Sequence, residues 1–406
     1  MAKSWFRVGL GVFGAIAATI ATFVVGLYVY VNATATPIHP DPKNVTSIAR
    51  STPAATWTAA VDRSRQVVRA ALTEQNLPGL SVAVGMAGEI VWTEGFGYAD
   101  IEKKTSVTPD TRFRMGDVSV PLTSAGVGLL VEKDRLNLET SIQKYVPDYP
   151  EKQWPVTLRQ LMAHVAGVRN DAGDEESLAE RCRRAAEGLP RFAASPLRFE
   201  PETQFRISSY GWILVSAAIE AAAGQPFFDF MRSQVFEPLG MTTTRPYVSD
   251  EQIPNLPAFY YPRFGGDTRL GPEAAREGDQ SCLAGAAAFL STSSDLVRFG
   301  NGLMNGKLLQ PATVELLQKG QRLTTGEETG YGLGWKLDTM TLASQPARMA
   351  GYGTKQDFIG GTTYLMTFPE HRLVVAVMTN TSFADTKSIA LQIAEAFAVK
   401  DDLRAK

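Results

Sequence analysis

The sequence predicts a mixed α/β domain of the α+β type, preceded by one N-terminal membrane-spanning helix, and three observations support this. Short β-rich runs lie near both ends of the chain, and long apolar runs with helical spacing lie between them. A charge-free apolar segment covers residues 8–31. The chain has 406 residues, of which 44% are hydrophobic and 20% are charged, which is ordinary for globular material.

Residues 8–31 form the predicted membrane-spanning helix. At about 1.5 Å per residue, this segment is long enough to cross a hydrocarbon core of about 30 Å. Lys3 and Arg7 precede it, and no Lys or Arg follows until Lys43. The positive-inside rule therefore places the N-terminus in the cytoplasm and the remaining chain on the outer, periplasmic side.

A cleaved signal peptide is the alternative for this segment, because Ala33-Thr34-Ala35 fits a cleavage site. The apolar part of a signal peptide usually has about 7–15 residues, which is much shorter than the segment seen here. The length of the segment thus favours an uncleaved single-pass anchor.

Composition divides the rest of the chain. Residues 32–59 are rich in Thr, Pro, Ala and Ser and lack hydrophobic periodicity, which is typical of an extended linker. The predicted organisation is a cytoplasmic N-terminus (1–7), an anchor (8–31), a linker (32–59), one folded domain (60–399) and a tail (400–406).

Charge and composition exclude several functions. A formal net charge of −2 gives no basic surface for a nucleic-acid partner. The three histidines, His39, His164 and His371, are scattered, so we predict no metal and no cofactor. Cys182 and Cys282 are too few for a disulfide framework, and whether they pair depends on the compartment.

One apolar run near the middle of the first half, Val118–Val131, is typical of a buried helix. Pro121 is tolerated only in the first turn, so this helix is expected to begin near Asp117 or Val118. The predicted β-rich runs are residues 80–84, 89–93, 361–369 and 372–380, and the other predicted helices include 61–72 and 386–399.

Several motifs, in the same order, resemble the serine β-lactamase and penicillin-binding-protein-like family, most of all its mitochondrial β-lactamase-like branch. They include Pro78 to Val84, Phe113 to Thr123, Gly330 to Trp335 and Gly361 to Pro369. The resemblance covers about residues 60–399. It implies a central antiparallel β-sheet flanked by helices and an all-helical lobe, and in a eukaryote it implies the mitochondrial inner membrane.

The resemblance also assigns chemical positions. In this family the helix begins with Ser-x-x-Lys, whose serine attacks the acyl carbon and whose lysine helps to activate it. Here Asp117 stands at the serine position and Val120 at the lysine position. Ile207 stands at the tyrosine of the family's Tyr-x-Asn/Ser motif, and Ser209 keeps the third position.

A fourth family element is a His-x-Gly or Lys-Thr-Gly strand. Tyr352 aligns with its histidine if a two-residue insertion is allowed, and Thr354 aligns without the insertion. The predicted candidate catalytic residues are therefore Asp117 and Tyr352, and the predicted ligand-contacting residues are Ser209, Tyr210, Thr354 and Lys355.

Two interpretations of Asp117 remain open. Asp is a favoured N-cap whose charge suits the helix dipole, and it is also able to act as an acid or base. The first interpretation leads to a pseudoenzyme that binds a small apolar ligand or a protein partner. The second leads to a repurposed lyase, isomerase or cyclase acting on an apolar small molecule. A serine esterase or peptidase with an unrecognised nucleophile is the third hypothesis.

Overall fold

An antiparallel sheet of eight strands forms the centre of the structure, a computed structural model that describes residues 2–170, 181–248, 251–276, 278–354 and 360–402. Within these residues the strands are β1 (Ser47–Ala49), β2 (Gly79–Met86), β3 (Glu89–Asp100), β4 (Thr105–Ser106), β5 (Phe113–Arg114), β6 (Arg245–Pro246), β7 (Tyr260–Pro262), β8 (Pro272–Ala274), β9 (Phe289–Ser291), β10 (Lys336–Leu342), β11 (Gln345–Gly353), β12 (Thr362–Phe368) and β13 (Leu373–Thr379). The α-helices are α1 (Ala2–Ala33), α2 (Thr58–Glu74), α3 (Ser119–Val131), α4 (Leu158–Met162), α5 (Ser209–Ala223), α6 (Phe227–Phe230), α7 (Glu237–Leu239), α8 (Ser293–Met304), α9 (Pro311–Leu317) and α10 (Thr386–Asp402).

The two ends of the folded domain meet in the middle of the sheet. Its strand order is β1-β3-β2-β13-β12-β11-β10, with β4 paired to β3 outside this path. β13 pairs antiparallel with β2, so that Val377 lies opposite Val82. The predicted fold, a central antiparallel sheet with helices between its first and last strands, is confirmed.

β13 is apolar along its whole length because both of its faces are covered. Val375 and Val377 pack into the core under α2 and α10, whereas Val374 and Ala376 pack into the core that includes α3, α5 and α8. Successive side chains of a strand point to opposite faces, so a strand buried on both sides has no need of polar residues. The second of these cores joins the sheet to the helical lobe, which contains α3, α4, α5 and α6.

Helix α5 crosses the centre of the helical lobe, and its ends are defined by local hydrogen bonds. The Ser208 Oγ accepts the Gly211 N–H at the N-terminus, and Gly224 ends the helix with a φ of 68°. A residue with positive φ after a helix is usually glycine, which has no Cβ to clash with the backbone. α5 therefore presents Ser208 and Ser209 at a fixed point of the lobe.

A disulfide joins Cys182 to Cys282, a pairing that the sequence alone left open. Both residues are buried, and the Cys182 N–H also donates to Ser281 Oγ at 2.8 Å. The bond connects the segment before the 3₁₀ helix Ala185–Arg191 to the 3₁₀ helix Ser281–Ala286. Both of these short helices pack on α5.

The N-terminal region differs from the predicted organisation in one respect. α1 contains a window, Ile16–Ala33, that is long and apolar enough to cross a membrane. The segment predicted as an extended linker (32–59) includes β1, which pairs with β3, and Val45, which is buried in the core. Hydrophobic periodicity did not predict these contacts, because the β1–β3 pairing is made by backbone groups and Val45 is a single buried residue.

Candidate functional site

Asp117 lies at the entrance to α3, in the 3₁₀ turn Gly116–Val118, and is partly buried. The helix itself begins at Ser119, and Val118 occupies its N-cap position without a side-chain hydrogen bond. The predicted N-cap role of Asp117 is therefore wrong. The physical reason is that Met115 and Val118 already have helical backbone angles, whereas a side-chain cap needs an extended residue at the helix start.

Val120 and Ile207 differ in solvent exposure. Val120 is 2% exposed and belongs to the core of the helical lobe. Ile207 is 40% exposed, although large apolar side chains are normally buried. Outside α1, the exposed large hydrophobic residues in the described part of the chain are Ile48 and Ile207. The residue two positions before α5 therefore presents an apolar side chain to solvent.

Thr354 ties the end of β11 to the turn that carries Asp117. Its Oγ1 donates to the Met115 carbonyl at 2.6 Å, and its N–H donates to the Thr363 carbonyl at 2.9 Å. Thr354 itself is buried. The structure thus brings this predicted residue next to the entrance of α3, and Lys355 lies outside the described residues.

Ser209 and Tyr210 begin α5. The Ser209 N–H donates to Asn170 Oδ1 at 2.8 Å, and the residue is partly buried. The ring of Tyr210 is buried, stacks on Phe192 at 4.8 Å between centroids, and lies 5.2 Å from the Arg169 guanidinium carbon. These contacts give Tyr210 a packing role in the lobe and do not bring it to Asp117.

Tyr352 belongs to a buried hydrogen-bonded group. His164 Nε2 lies 3.1 Å from Tyr331 Oη and 3.4 Å from Tyr352 Oη. His164 follows the short helix α4, whereas Tyr331 and Tyr352 come from the segment before β10 and from β11. All three side chains are at most 3% exposed.

The tautomer of His164 follows from its contacts. The Ser208 N–H donates to His164 Nδ1 at 3.1 Å, so in the neutral ring the proton is on Nε2 and is donated toward Tyr331. Burial, together with the nearby Lys336 charge, lowers the pKa of His164 to about 3. His164 is therefore a neutral hydrogen-bond donor at physiological pH.

The phenols of Tyr331 and Tyr352 are held in their protonated form. Burial is the main cause that raises the pKa of each, and the negative charge of Asp117 adds to the effect in both. A hydrogen bond between the two hydroxyls raises the pKa of Tyr331 further and opposes the shift of Tyr352. Both side chains are consequently hydrogen-bonding groups at neutral pH and not bases.

Lys336 lies beside the ring of Tyr352. Its Nζ lies 5.4 Å from the centroid of the Tyr352 ring, within the range of a cation–π contact. Burial lowers the pKa of Lys336, and the negative charge of Asp117 acts in the opposite direction. Asp117, His164, Tyr331, Lys336 and Tyr352 therefore share one electrostatic environment, which we call the polar cluster.

Sequence reasoning identified two of these five residues. It did not single out His164, Tyr331 or Lys336 as site residues. The available signal was a tyrosine and a lysine within and just after the family-like run Gly330–Trp335. Among the described residues, no group of three or more His, Cys, Asp or Glu side chains is placed to hold a metal ion.

Comparison with known proteins identifies the family. A family model described as Beta-lactamase matches residues 64–398, most of the chain. The chain belongs to the beta-lactamase family. Within this family it is 27% identical over 321 residues to the serine beta-lactamase-like protein LACTB, mitochondrial, of Bos taurus, which covers 61% of the chain and 57% of that relative. The chain thus spans somewhat more than half the length of the LACTB relatives.

Other similar proteins extend the comparison. Penicillin-binding protein 4* of Bacillus subtilis is 26% identical, with 74% of this chain and 67% of that protein covered. The solved structure of EstCE1, a hydrolase with promiscuous acyltransferase activity, superposes with a TM-score of 0.70 at 24% identity, covering 85% of this chain and all of that one. The octameric penicillin-binding protein homologue from Pyrococcus abyssi gives a TM-score of 0.68 at 21% identity, with 82% and 76% covered. These structures share the fold, and the predicted family is confirmed.

Proposed function

We propose that this protein is a membrane-anchored, non-hydrolytic member of the beta-lactamase family whose cleft binds a ligand or a protein partner. The observation that carries the proposal is the identity of three residues. The family resemblance assigns Asp117 to the position of the nucleophilic serine, Val120 to that of the lysine and Ile207 to that of the tyrosine. Hydrolysis through an acyl-enzyme needs a nucleophile and a group that takes its proton, and Val120 and Ile207 are unable to carry a proton.

Three of the groups around Asp117, His164, Tyr331 and Tyr352, support this proposal because they do not replace the missing base. His164 Nδ1 already accepts the Ser208 N–H, and its pKa is lowered to about 3. Tyr331 and Tyr352 stay protonated, since burial raises the pKa of each. A carboxylate at position 117 also repels the oxyanion that the start of the helix stabilises in serine enzymes.

The proposed ligand is apolar with a polar end. Ile207 is exposed, and the next residue, Ser208, donates its N–H to His164 of the polar cluster. An apolar side chain therefore lies one residue from a group of buried hydrogen-bonding side chains. Ligand sites commonly combine an apolar wall with a few placed polar groups. A small apolar molecule or an apolar peptide segment fits this combination.

The test uses serine-directed reagents. We expect the purified protein to remain unlabelled by a fluorophosphonate and by a fluorescent penicillin, because no activated serine is present in the proposed site. An active serine enzyme of the family serves as the positive control under the same conditions. Stoichiometric labelling would refute the proposal, and loss of that labelling in Ser209→Ala or Ser119→Ala would identify the nucleophile.

A repurposed enzyme is the second candidate, favoured by the coupling of Asp117 to Lys336. Burial lowers the pKa of Lys336, which brings its ammonium closer to proton exchange at neutral pH. Asp117 and Lys336 would then act as an acid/base pair in an elimination, isomerisation or cyclisation.

Metabolite turnover distinguishes the repurposed enzyme from the non-hydrolytic binding protein. If the second candidate holds, wild-type protein incubated with an extract of its host is expected to convert a metabolite detected by mass spectrometry. Asp117→Asn is expected to abolish that conversion, because it removes the carboxylate and keeps the side-chain shape. Asp338→Asn, which changes an exposed carboxylate on β10, is the matched control and is expected to convert normally. Equal profiles for the wild type and Asp117→Asn would exclude the enzyme and leave the binding function.

We further propose that α1 anchors the chain with the domain on the outer side of a membrane. Three features support this. The window Ile16–Ala33 is long and apolar enough to span, the basic residues Lys3 and Arg7 precede it, and the domain contains a disulfide. Disulfides persist mainly in oxidising compartments such as the periplasm. In a eukaryote, the mitochondrial LACTB relatives support a mitochondrial membrane as its location.

A further inference from the structure

The domain holds the C-terminal end of α1 through Arg263. Its Nη1 donates to the Thr34 carbonyl at 3.2 Å, and its Nη2 donates to Thr34 Oγ1 at 2.9 Å. The last turn of a helix leaves carbonyl groups without helical partners and carries a partial negative charge. α1 has no basic residue in its last turn. Arg263 therefore supplies from the domain the positive charge that the helix lacks.

A second contact fixes the depth of the same region. The rings of Tyr28 and Phe264 lie 6.1 Å apart between centroids. Tyr28 lies three residues before the end of the predicted anchor (8–31), which is about 4.5 Å along the helix axis. Tyr28 then lies at the membrane interface, where aromatic side chains are enriched. Phe264, which contacts Tyr28, lies at the same level.

The chain between α1 and α2 is held against the domain by several contacts. Asn76 Oδ1 accepts the Ile38 N–H at 2.8 Å, and Asn76 Nδ2 donates to the Thr36 carbonyl at 3.4 Å. The ring of His39 stacks on Tyr98 at 5.3 Å, and β1 then joins the sheet. These successive contacts set the height of the domain above the end of α1.

We propose that residues 261–271, the membrane-proximal loop, lie in the headgroup layer of a phospholipid bilayer. This proposal rests on the anchoring of α1 proposed above. Phe264 is the aromatic residue placed in that layer, and the side chain of Arg269 is 71% exposed although it pairs with Asp267. With Arg263, the loop has two arginines and one acidic residue, so it has a net positive charge toward the lipid phosphates.

This placement brings the candidate site close to the outer leaflet. Phe259 lies five residues before Phe264, and five extended residues span at most about 18 Å. The ring of Phe259 packs under the guanidinium of Arg114, whose carbon lies 4.0 Å from the ring centroid. Arg114 is three residues from Asp117.

Photo-crosslinking in a bilayer tests the membrane-proximal loop. The full chain, with p-benzoylphenylalanine in place of Phe264, is reconstituted into nanodiscs of phosphatidylcholine and phosphatidylglycerol, irradiated and analysed by mass spectrometry. Phe13, 78% exposed in α1, is the positive-control position. Lys319, which is exposed two residues after the end of α9, is the negative-control position. We expect position 264 to form several-fold more lipid adduct than position 319.

Two further measurements make the outcome decisive. Arg263→Ala is expected to reduce the adduct at position 264 several-fold, and Arg322→Ala, an exposed arginine near β10, is expected to leave it unchanged. If the adduct at position 264 is no greater than at 319 while position 13 is labelled, the loop proposal is overturned and the anchor stands. If protein purified from its host begins after residue 33, both the anchor and the loop proposal are overturned.

Discussion

Lowering the pH from 7 to 4.5 is expected to reduce the free energy of unfolding by about 3 kcal/mol through His164 alone. In the folded protein, burial lowers the pKa of this residue from 6.5 to about 3. The unfolded chain therefore binds a proton below about pH 6.5 that the folded chain does not bind. The stability linked to His164 is complete above pH 6.5 and falls as the pH decreases toward 3. Urea unfolding at several pH values measures this slope.

The matched variant for this prediction is His164→Asn. His164 has a φ of 58°, a backbone conformation that asparagine tolerates well, and the Asn Oδ1 is able to accept the Ser208 N–H in place of Nδ1. We expect the variant to be less stable at pH 7 by about 1–3 kcal/mol, because Tyr331 loses its donor and the ring leaves a cavity. Between pH 7 and 4.5 the variant is expected to lose about 3 kcal/mol less than the wild type. Equal slopes in the two proteins would mean that His164 is protonated within the fold.

The periodicity of the sequence predicted the main strands and helices, and the family resemblance implied how they are arranged. The apolar runs near residues 80 and 375 are both strands, and they became neighbours in the sheet as the family resemblance implied. The predicted ends of the strands and helices were less accurate. β3 continues to Asp100, well beyond the predicted run 89–93, and α3 begins after a 3₁₀ turn. Local propensity does not determine such limits, because pairing and packing with distant segments decide them.

The candidate site was only partly predictable, for a different reason. Asp117 and Tyr352 were found because each occupies a motif position in the chain. His164 and Tyr352 are 188 residues apart, and only the packed fold brings their polar atoms together. Lys336 is the first residue of an edge strand and has no motif of its own. A lysine in that position is usually solvated, and its burial against Tyr352 depends on tertiary structure.

Removing the disulfide is expected to lower the free energy of unfolding by about 3–5 kcal/mol. Cys182 and Cys282 are separated by 100 positions, so their bond restricts a long segment of the unfolded chain. In the folded protein the bond connects two short helices that pack on α5, the helix that begins next to the Ser208 contact with His164. Urea unfolding of the double variant Cys182→Ala/Cys282→Ala, compared with the oxidised wild type, measures the effect. A loss below about 1 kcal/mol would show that the unfolded chain is already compact in this region.

The same bond provides a test of the proposed orientation of the domain at a membrane. A domain held outside the cytoplasm by α1 is expected to keep Cys182 and Cys282 paired in the host. Protein isolated from host membranes into denaturant with a thiol-blocking maleimide should then add no maleimide unless it is first reduced. If both thiols react without reduction, the domain folds in a reducing compartment without this contribution to its stability. The orientation drawn from Lys3 and Arg7 would then be reversed, because the same anchor would hold the domain on the cytoplasmic side.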